Sequence, residues 1–343
     1  MWLSLRPGIR VSIHGNHFRS GDLTMNHVVA FVLMIVASVN TAMAADIASA
    51  PAPNAQKVVL VTGASTGIGR KITERLAKEG YFVYAGARKE HDLKDLNAIP
   101  NVHSLRLDVT SADDIAAAVD TVTRAGRGLY ALVNNAGVGL GGPLTETKEE
   151  DFHFLMNVNC YGPYRVTKAF SPLIVASKGR ITTIGSISGI LAGPNSGAYS
   201  MSKHAIEAFS DVLAAEMAPL GVQVSVVEPG NYNSEISKSA AKRAGAPWLG
   251  DRSRYKEPDE VAAVVLQALS EPNPKRRYMI TPNQREAEIT IRKAIEVLVQ
   301  LNEGQQYTYD RDALVKMLDE SLATAKPNTS APIVATPTTK TSK

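Results

Sequence analysis

A single cysteine, Cys160, among 343 residues leaves no material for a disulfide framework or a cysteine-based zinc site. The seven histidines, at 14, 17, 27, 91, 103, 153 and 204, contain no H-E-x-x-H or comparable spacing, so no metal is expected. Aromatic residues are scarce at 6%, yet hydrophobic residues make up 44% of the chain, an ordinary fraction that excludes wholesale disorder. An excess of one charge is also missing where it would matter. The net charge of +4 sits at the ends, +2 in residues 1–44 and +3 in residues 326–343, which leaves residues 45–325 at −1. A nearly neutral body without a basic cluster argues against nucleic acid as a partner.

Long hydrophobic runs are equally few. His27–Val39 is an apolar run preceded by Arg6, Arg10 and Arg19 and followed by Ala42-Met43-Ala44, a small-x-small cleavage pattern. Asn40 and Thr41 interrupt it, and a spanning helix needs roughly 20 apolar residues. Residues 1–44 therefore read as a signal peptide or, failing cleavage, a membrane anchor. The flanking positive charge directs the body outward, so the expected location is periplasmic or membrane-associated. A dispensable extension on a cytoplasmic protein is the alternative. Residues 45–56 form an Ala/Pro linker, and residues 326–343, rich in Thr, Pro and Lys, read as a disordered tail.

Between these ends strands and helices alternate. Val58-Val-Leu-Val-Thr62 is uniformly apolar, as expected of a strand buried on both faces. Further strands are expected at Tyr81–Ala85, Val102–Leu107, Leu129–Val133, Arg180–Ile184, Val222–Val227 and Arg277–Ile280. Helices are expected at Ile68–Ala77, Ala112–Arg124, Asp151–Ala176, Ala198–Ala218 and Pro258–Leu269. The pattern predicts an α/β fold, a Rossmann-type doubly wound parallel sheet of about seven strands over residues 57–282. Two amphipathic helices, Arg285–Leu301 and Asp310–Leu322, form a C-terminal helical extension at 283–325.

Thr62-Gly63-Ala64-Ser65-Thr66-Gly67-Ile68-Gly69 joins the first strand to the first helix. Glycines there permit a tight turn and close approach of a pyrophosphate, and the helix N-terminus supplies free N–H groups. The second strand ends Ala85-Gly86-Ala87-Arg88-Lys89, without the acid that would bind a ribose 2′-hydroxyl. Arg88 suits a 2′-phosphate. NADP(H) is thus expected in preference to NAD(H).

Two Tyr-x-x-x-Lys pairs occur, Tyr164–Lys168 and Tyr199–Lys203, and each puts both side chains on one helical face. An ammonium beside a phenol stabilises the phenolate and prepares a general acid/base. The motif is cheap: with 11 tyrosines in a chain of this composition, chance supplies about 0.6 of them. Position separates the two. Tyr199 follows Ser186, at the carboxyl end of the fifth strand, by 13 residues, whereas Tyr164 lies within a long helical run. The carboxyl ends of strands are where a doubly wound sheet binds ligands.

The T-G-x-x-x-G-x-G spacing, the Leu107-Asp108-Val109-Thr110 segment, Asn134-Asn135-Ala136-Gly137, Ser186 with Tyr199 and Lys203, and Pro229-Gly230 together resemble the classical short-chain dehydrogenase/reductase family, in particular its hydroxysteroid/retinol dehydrogenase-like members. The resemblance implies metal-independent hydride transfer between a nicotinamide and an alcohol or carbonyl. It implies a catalytic set of Asn159, Ser186, Tyr199 and Lys203, with Ser188 the alternative serine and Asn157 a neighbour at the wrong offset. It also implies cofactor contacts from Thr62, Gly63, Ser65, Gly67, Ile68, Gly69, Arg88, Asp108, Asn135, Ala136, Gly137, Tyr199, Lys203, Pro229 and Gly230. Ser234 stands where the family usually has threonine. A homodimer or homotetramer through Asp151–Ala176 and Ala198–Ala218 is implied as well. Asn231–Tyr255, carrying Tyr232, Ile236, Trp248, Leu249 and Tyr255, is expected to cover the substrate. With Leu140, Ile190 and Leu191 it suggests a lipophilic one. A non-catalytic dinucleotide sensor and an epimerase or dehydratase of the extended branch are the alternatives. Cys160 and His204 read as structural, and Lys275-Arg276-Arg277 as a solvated run.

Overall fold

Val58–Val61 (β1) is apolar at every position because both its faces are covered. Val59 and Val61 enter one core, and Val58 and Leu60 enter the other. The computed structural model describes residues 56–243 and 254–324. The expected leader at 1–44, nearly all of the linker at 45–56, Trp248 and Leu249, and the tail at 326–343 lie outside the described residues.

From β1 the chain runs through α1 (Gly67–Lys78), β2 (Phe82–Ala87), α2 (Glu90–Asn97), β3 (Val102–Arg106), α3 (Ala112–Arg124) and β4 (Ala131–Asn134). Then come α4 (Glu149–Met156), α5 (Gly162–Ala176), β5 (Arg180–Ile184), α6 (Gly197–Met217) and β6 (Gln223–Pro229). α7 (Glu235–Arg243), α8 (Asp259–Ser270), β7 (Arg277–Ile280), α9 (Gln284–Asn302) and α10 (Arg311–Thr324) complete the described chain. The long helix expected at 151–176 is broken in register by one π turn, Asn157–Tyr161, between α4 and α5. Helices α2 and α7 were not expected from the sequence pattern.

All seven strands are parallel, in the order β3-β2-β1-β4-β5-β6-β7. The chain winds outward from β1 to β3 and returns to β4 beside β1. That reversal opens a crevice at the carboxyl ends of the strands. One face of the sheet is covered by α1 and α8 through Ile72, Leu76, Val261, Val265 and Leu269. The other is covered by α3 and α5 through Ile115, Val122, Val166, Phe170 and Ile174. The extension is more loosely placed: α9 buries only Thr290 and α10 buries no residue. Among the described residues no helix is long and apolar enough to cross a membrane.

Candidate active site

The turn after β1 needs glycine for two separate reasons. Gly63 adopts φ +64°, and a Cβ there would lie 2.8 Å from Ala136 Cα. Gly69 is helical, but its Cβ would fall 2.2 Å from Gly63 O and 2.3 Å from Asn135 Nδ2. The close approach is held by Asn135, whose Nδ2 donates to the carbonyls of Thr62 and Gly63 at 2.9 and 3.0 Å. Thr66 stands at the N-cap of α1 without a side-chain capping bond, so the side chain leaves the first-turn amides unspent.

These residues form one end of a cavity of about 1040 Å³. Gly63, Ser65, Gly67, Ile68 and Gly69 line it from the turn, and Asn135, Ala136 and Gly137 line it from the end of β4. Arg88 and Asp108 come from the ends of β2 and β3, with Arg88 Nη1 3.7 Å from Asp108 Oδ2. Asp108 Oδ1 accepts from Thr110 N and Oγ1 at 2.9 and 2.7 Å. Burial raises the Asp108 carboxyl, but these hydrogen bonds and the Arg88 charge outweigh it and hold the group below its ordinary range. Asp108 is not the cap of α3: Ser111 is, its Oγ accepting from Asp114 N at 3.2 Å.

At the other end, Ser186 follows β5 and opens a short 3₁₀ turn, Ile187–Gly189, its Oγ accepting from Ser188 N at 3.1 Å. Tyr199 and Lys203 stand one turn apart on α6, with Nζ 5.7 Å from the Tyr199 ring centre. Lys203 is 6% exposed and donates to Ile184 O at 2.9 Å, which ties it to the strand that leads into Ser186. Ser186, Ser188, Tyr199, Lys203, Pro229 and Gly230 all line the cavity, as do Leu140, Leu191, Tyr232, Ser234 and Ile236. Ile190 and Tyr255 are not among its lining residues.

The second Tyr–Lys pair has the same local geometry, with Lys168 Nζ 5.8 Å from the Tyr164 ring centre. It lies away from the cavity, with Tyr164 49% exposed. Helical spacing alone therefore does not distinguish the pairs; the end of β5 does. Asn157 is engaged elsewhere, its Oδ1 accepting from Arg165 Nη1 at 2.7 Å.

Two expected site residues sit one layer behind the cavity wall. The Thr62 hydroxyl accepts from Asn135 N and Ala136 N, both at 3.0 Å. Its work is to join β1 to the β4 exit rather than to line the cavity. Asn159, 3% exposed, exchanges bonds with Val138, Oδ1 accepting from N at 2.8 Å and Nδ2 donating to O at 2.9 Å. Its Nδ2 also donates to Ser202 Oγ at 3.0 Å, linking the π turn to α6 next to Lys203. Cys160 contacts the Met156 sulfur and Ser202 O, and burial raises its thiol while Lys203 pulls it down less strongly. His204 bonds Ser200 O at 2.9 Å. Cys160 is half-buried in the π turn, and His204 is exposed on α6.

Lys275, Arg276 and Arg277 are exposed, as expected of a solvated run, yet Arg277 also has specific partners. Its guanidinium reaches Glu207 at 3.2 Å, Asp211 at 2.7 Å and Glu228 at 3.4 Å. Glu228 is 2% exposed, and burial first, then the neighbouring Glu207 charge, push its carboxyl up to about 8. Glu207 Oε1 and Glu228 Oε1 are buried without a hydrogen-bond partner among the described residues. A signal was present in the sequence: Tyr199, Lys203, Glu207 and Asp211 recur every four residues and so share one face of α6. Glu286 and Ile289, from α9, were also missed; Ile289 lines the cavity.

Comparison with known proteins fits this geometry. D-beta-hydroxybutyrate dehydrogenase, mitochondrial, of Mus musculus is 36% identical over 201 residues, 55% of this chain and 58% of that protein. Retinol dehydrogenase 5 of Mus musculus is 40% identical over 190 residues, 54% of this chain and 59% of that protein. The chain thus spans well under two thirds of either relative. Among solved structures, an alcohol dehydrogenase from the archaeon Thermococcus sibiricus complexed with 5-hydroxy-NADP superposes with a TM-score of 0.59 at 28% identity, covering 66% of this chain and 95% of that one. The short chain dehydrogenase family profile matches residues 57–245, across the whole glycine turn, sheet centre and Tyr199–Lys203 face, and the chain belongs to that family.

Proposed function

We propose that the protein is a nicotinamide-dinucleotide-dependent oxidoreductase that interconverts an uncharged, lipophilic alcohol and its carbonyl. The observation that carries the reading is the single cavity shared by the glycine turn and the Ser186–Tyr199–Lys203 group. The glycine cradle, which a Cβ at Gly63 or Gly69 would fill, and the uncapped first turn of α1 fit a pyrophosphate. Arg88 and Lys89 at the rim, with no acid ending β2, fit the 2′-phosphate of NADP(H). The bound dinucleotide supplies or accepts the hydride.

The chain's own groups handle the substrate oxygen. Ser186 donates a hydrogen bond to it, and Tyr199 gives or takes its proton. Lys203, anchored on Ile184 O, sets the field at the Tyr199 phenol and would hold the nicotinamide ribose of a bound dinucleotide. Asn159 holds Val138 and Ser202 on either side and keeps α6 in register with the cavity.

Lining composition supports the substrate class. Leu140, Leu191, Ile236 and Ile289 are apolar, and the described lysines and arginines of the wall are Arg88 and Lys89 at the far end and Lys203, already engaged. Among the described lining residues, a carboxylate substrate has no other counter-ion. Tyr161, Tyr164, Met201 and Val212 stand exposed on the α4–α5 and α6 surfaces and support association of copies into a homodimer or homotetramer. The leader-like residues 1–44 support export of the catalytic body; a cytosolic protein that starts before residue 44, found by fractionation and N-terminal sequencing, overturns that part.

The test is turnover of a panel of lipophilic alcohols and ketones beside short hydroxy acids, followed through NADPH absorbance. Tyr199→Phe abolishes turnover while dinucleotide still binds, and Tyr164→Phe leaves kcat within a few-fold. Equal losses in both variants refute the assignment of Tyr199. Preference for hydroxy acids refutes the substrate class, and binding without turnover of any substrate leaves a dinucleotide sensor.

A further inference from the structure

The C-terminal extension meets the cavity wall through α9, where Ile289 lines it and Glu286 bonds a turn that lines it. Glu286 lies in the first turn of α9, where Asn283 caps the helix by accepting from Glu286 N at 3.0 Å and donating through Nδ2 to Glu286 Oε1 at 3.0 Å. That reciprocal pair is a variant of the capping box in which the cap's side-chain amide, not its backbone N–H, meets the Glu286 carboxylate. The second carboxylate oxygen does something else: Oε2 accepts from Asn231 N at 2.7 Å, 55 residues back in the chain. The bond ends on the Pro229–Gly230–Asn231 turn, all three residues of which line the cavity.

The same carboxylate explains the glycine of that turn. A Cβ on Gly230 would lie 2.3 Å from Glu286 Oε2 and 2.9 Å from Pro282 Cδ, so any side chain there displaces Glu286. Gly230 N in turn donates to Ile280 O at 2.8 Å, which closes the turn against β7. Beyond it the segment is pinned twice more, by Tyr232 Oη on Glu260 Oε2 at 2.8 Å and by Asn233 Nδ2 on Glu257 Oε1 at 2.6 Å. One helical turn past Glu286, Ile289 reaches the cavity wall itself.

We propose that Glu286 is a positioning residue through which the helical extension fixes the Pro229–Gly230–Asn231 turn, and with it the nicotinamide-side wall of the cavity. The proposal rests on the dinucleotide reading given above. It assigns the extension a task in the reaction: the turn after β6 has no regular secondary structure of its own, and the α9 carboxylate supplies the acceptor that holds its backbone. A hydrogen bond to a charged acceptor is among the stronger ones in proteins. Its loss lets the wall move by rotation about the residues next to Gly230 while the adenosine end, built from β1 to β4, stays in place.

The experiment uses the full chain and three variants: Glu286→Ala, Glu286→Gln and Asn283→Ala. Binding is measured for NADP(H) and for 2′,5′-ADP, a fragment that occupies only the adenosine end. Glu286→Ala is expected to weaken NADP(H) about tenfold and to leave 2′,5′-ADP unchanged. Glu286→Gln keeps one acceptor oxygen and recovers part of that loss. Asn283→Ala removes the cap of α9 but leaves the bond to Asn231, so it lowers thermal stability without changing the ratio of the two affinities. Equal weakening of both ligands by Glu286→Ala, no weakening of either, or the same change of ratio in Asn283→Ala overturns the proposal. A wild-type chain that binds neither ligand overturns instead the dinucleotide reading on which it stands.

Discussion

Replacing Glu228 by Gln tests the acidic cluster that Arg277 gathers behind β6. The Glu228 carboxyl is held up to about 8, by burial first and by the Glu207 charge second, with Arg277 opposing them. A glutamate in the unfolded chain titrates near 4.5. Between these values the folded protein keeps a proton that the unfolded chain has released. Stability is therefore complete below about 4.5 and falls as the pH rises toward 8. Each pH unit crossed costs at most about 1.4 kcal/mol. From pH 5.5 to 8 that ceiling is about 3.4 kcal/mol, and partial relief by Arg277 and by sharing with Glu207 brings the expected figure to about 2 kcal/mol. Glu228→Gln keeps the volume, offers Glu207 a donor and cannot ionise. Urea unfolding of both proteins at pH 5.5, 7 and 8 measures the difference, and groups that titrate alike in both cancel. The variant is expected to gain on the wild type by about 2 kcal/mol across that range. Activity at pH 5.5 should change little, since Glu228 is not among the cavity-lining residues. Parallel stability curves would show that Glu228 is already ionised in the folded protein, and the argument would fail.

Arg88→Ala should weaken NADPH far more than NADH, because only the 2′-phosphate loses a charge-assisted partner; equal weakening, measured by titration of each, shows that Arg88 does not read the phosphate. Arg277→Met removes a cation that reaches Glu207, Asp211 and Glu228 together. Its Tm should drop, and drop further at pH 8.5 than at pH 6, since more of the three carboxylates are then ionised; a pH-independent drop contradicts the cluster.

What the chain disclosed in advance was local. Four consecutive apolar residues at β1 announced a strand with two covered faces, and the glycine turn announced the helix α1. The two Tyr–Lys pairs were separable because one stood after a strand and the other did not. Failures trace to distance or to weak pattern. Helix α2, Glu-His-Asp-Leu-Lys-Asp-Leu-Asn, buries only Leu96, so its periodicity is faint. Helix α7 is largely polar and was absorbed into the expected substrate loop. The bonds of the Thr62 hydroxyl to two amides 73 and 74 residues away could not be read from its motif. Glu286 and Arg277 were opaque for the same reason, since their partners are assembled only by the sheet. An acid in the otherwise apolar Val226-Val227-Glu228 was the legible hint of a buried counter-ion.

The reversal of winding between β1 and β4 has a consequence for how such a chain can be altered. On the reading proposed above, the side chains that would meet the adenosine end beyond the glycine turn, Arg88, Lys89 and Asp108, lie within residues 82–110, on one side of the reversal. Those that meet the reacting end, from Leu140 to Ile289, lie on the other. That proposal would put coenzyme choice and substrate choice in separate passages of the chain. Exchanging the β2–β3 passage alone should retarget the coenzyme with the reacting end intact, and the segment after β4 can diversify without relearning how to hold a dinucleotide.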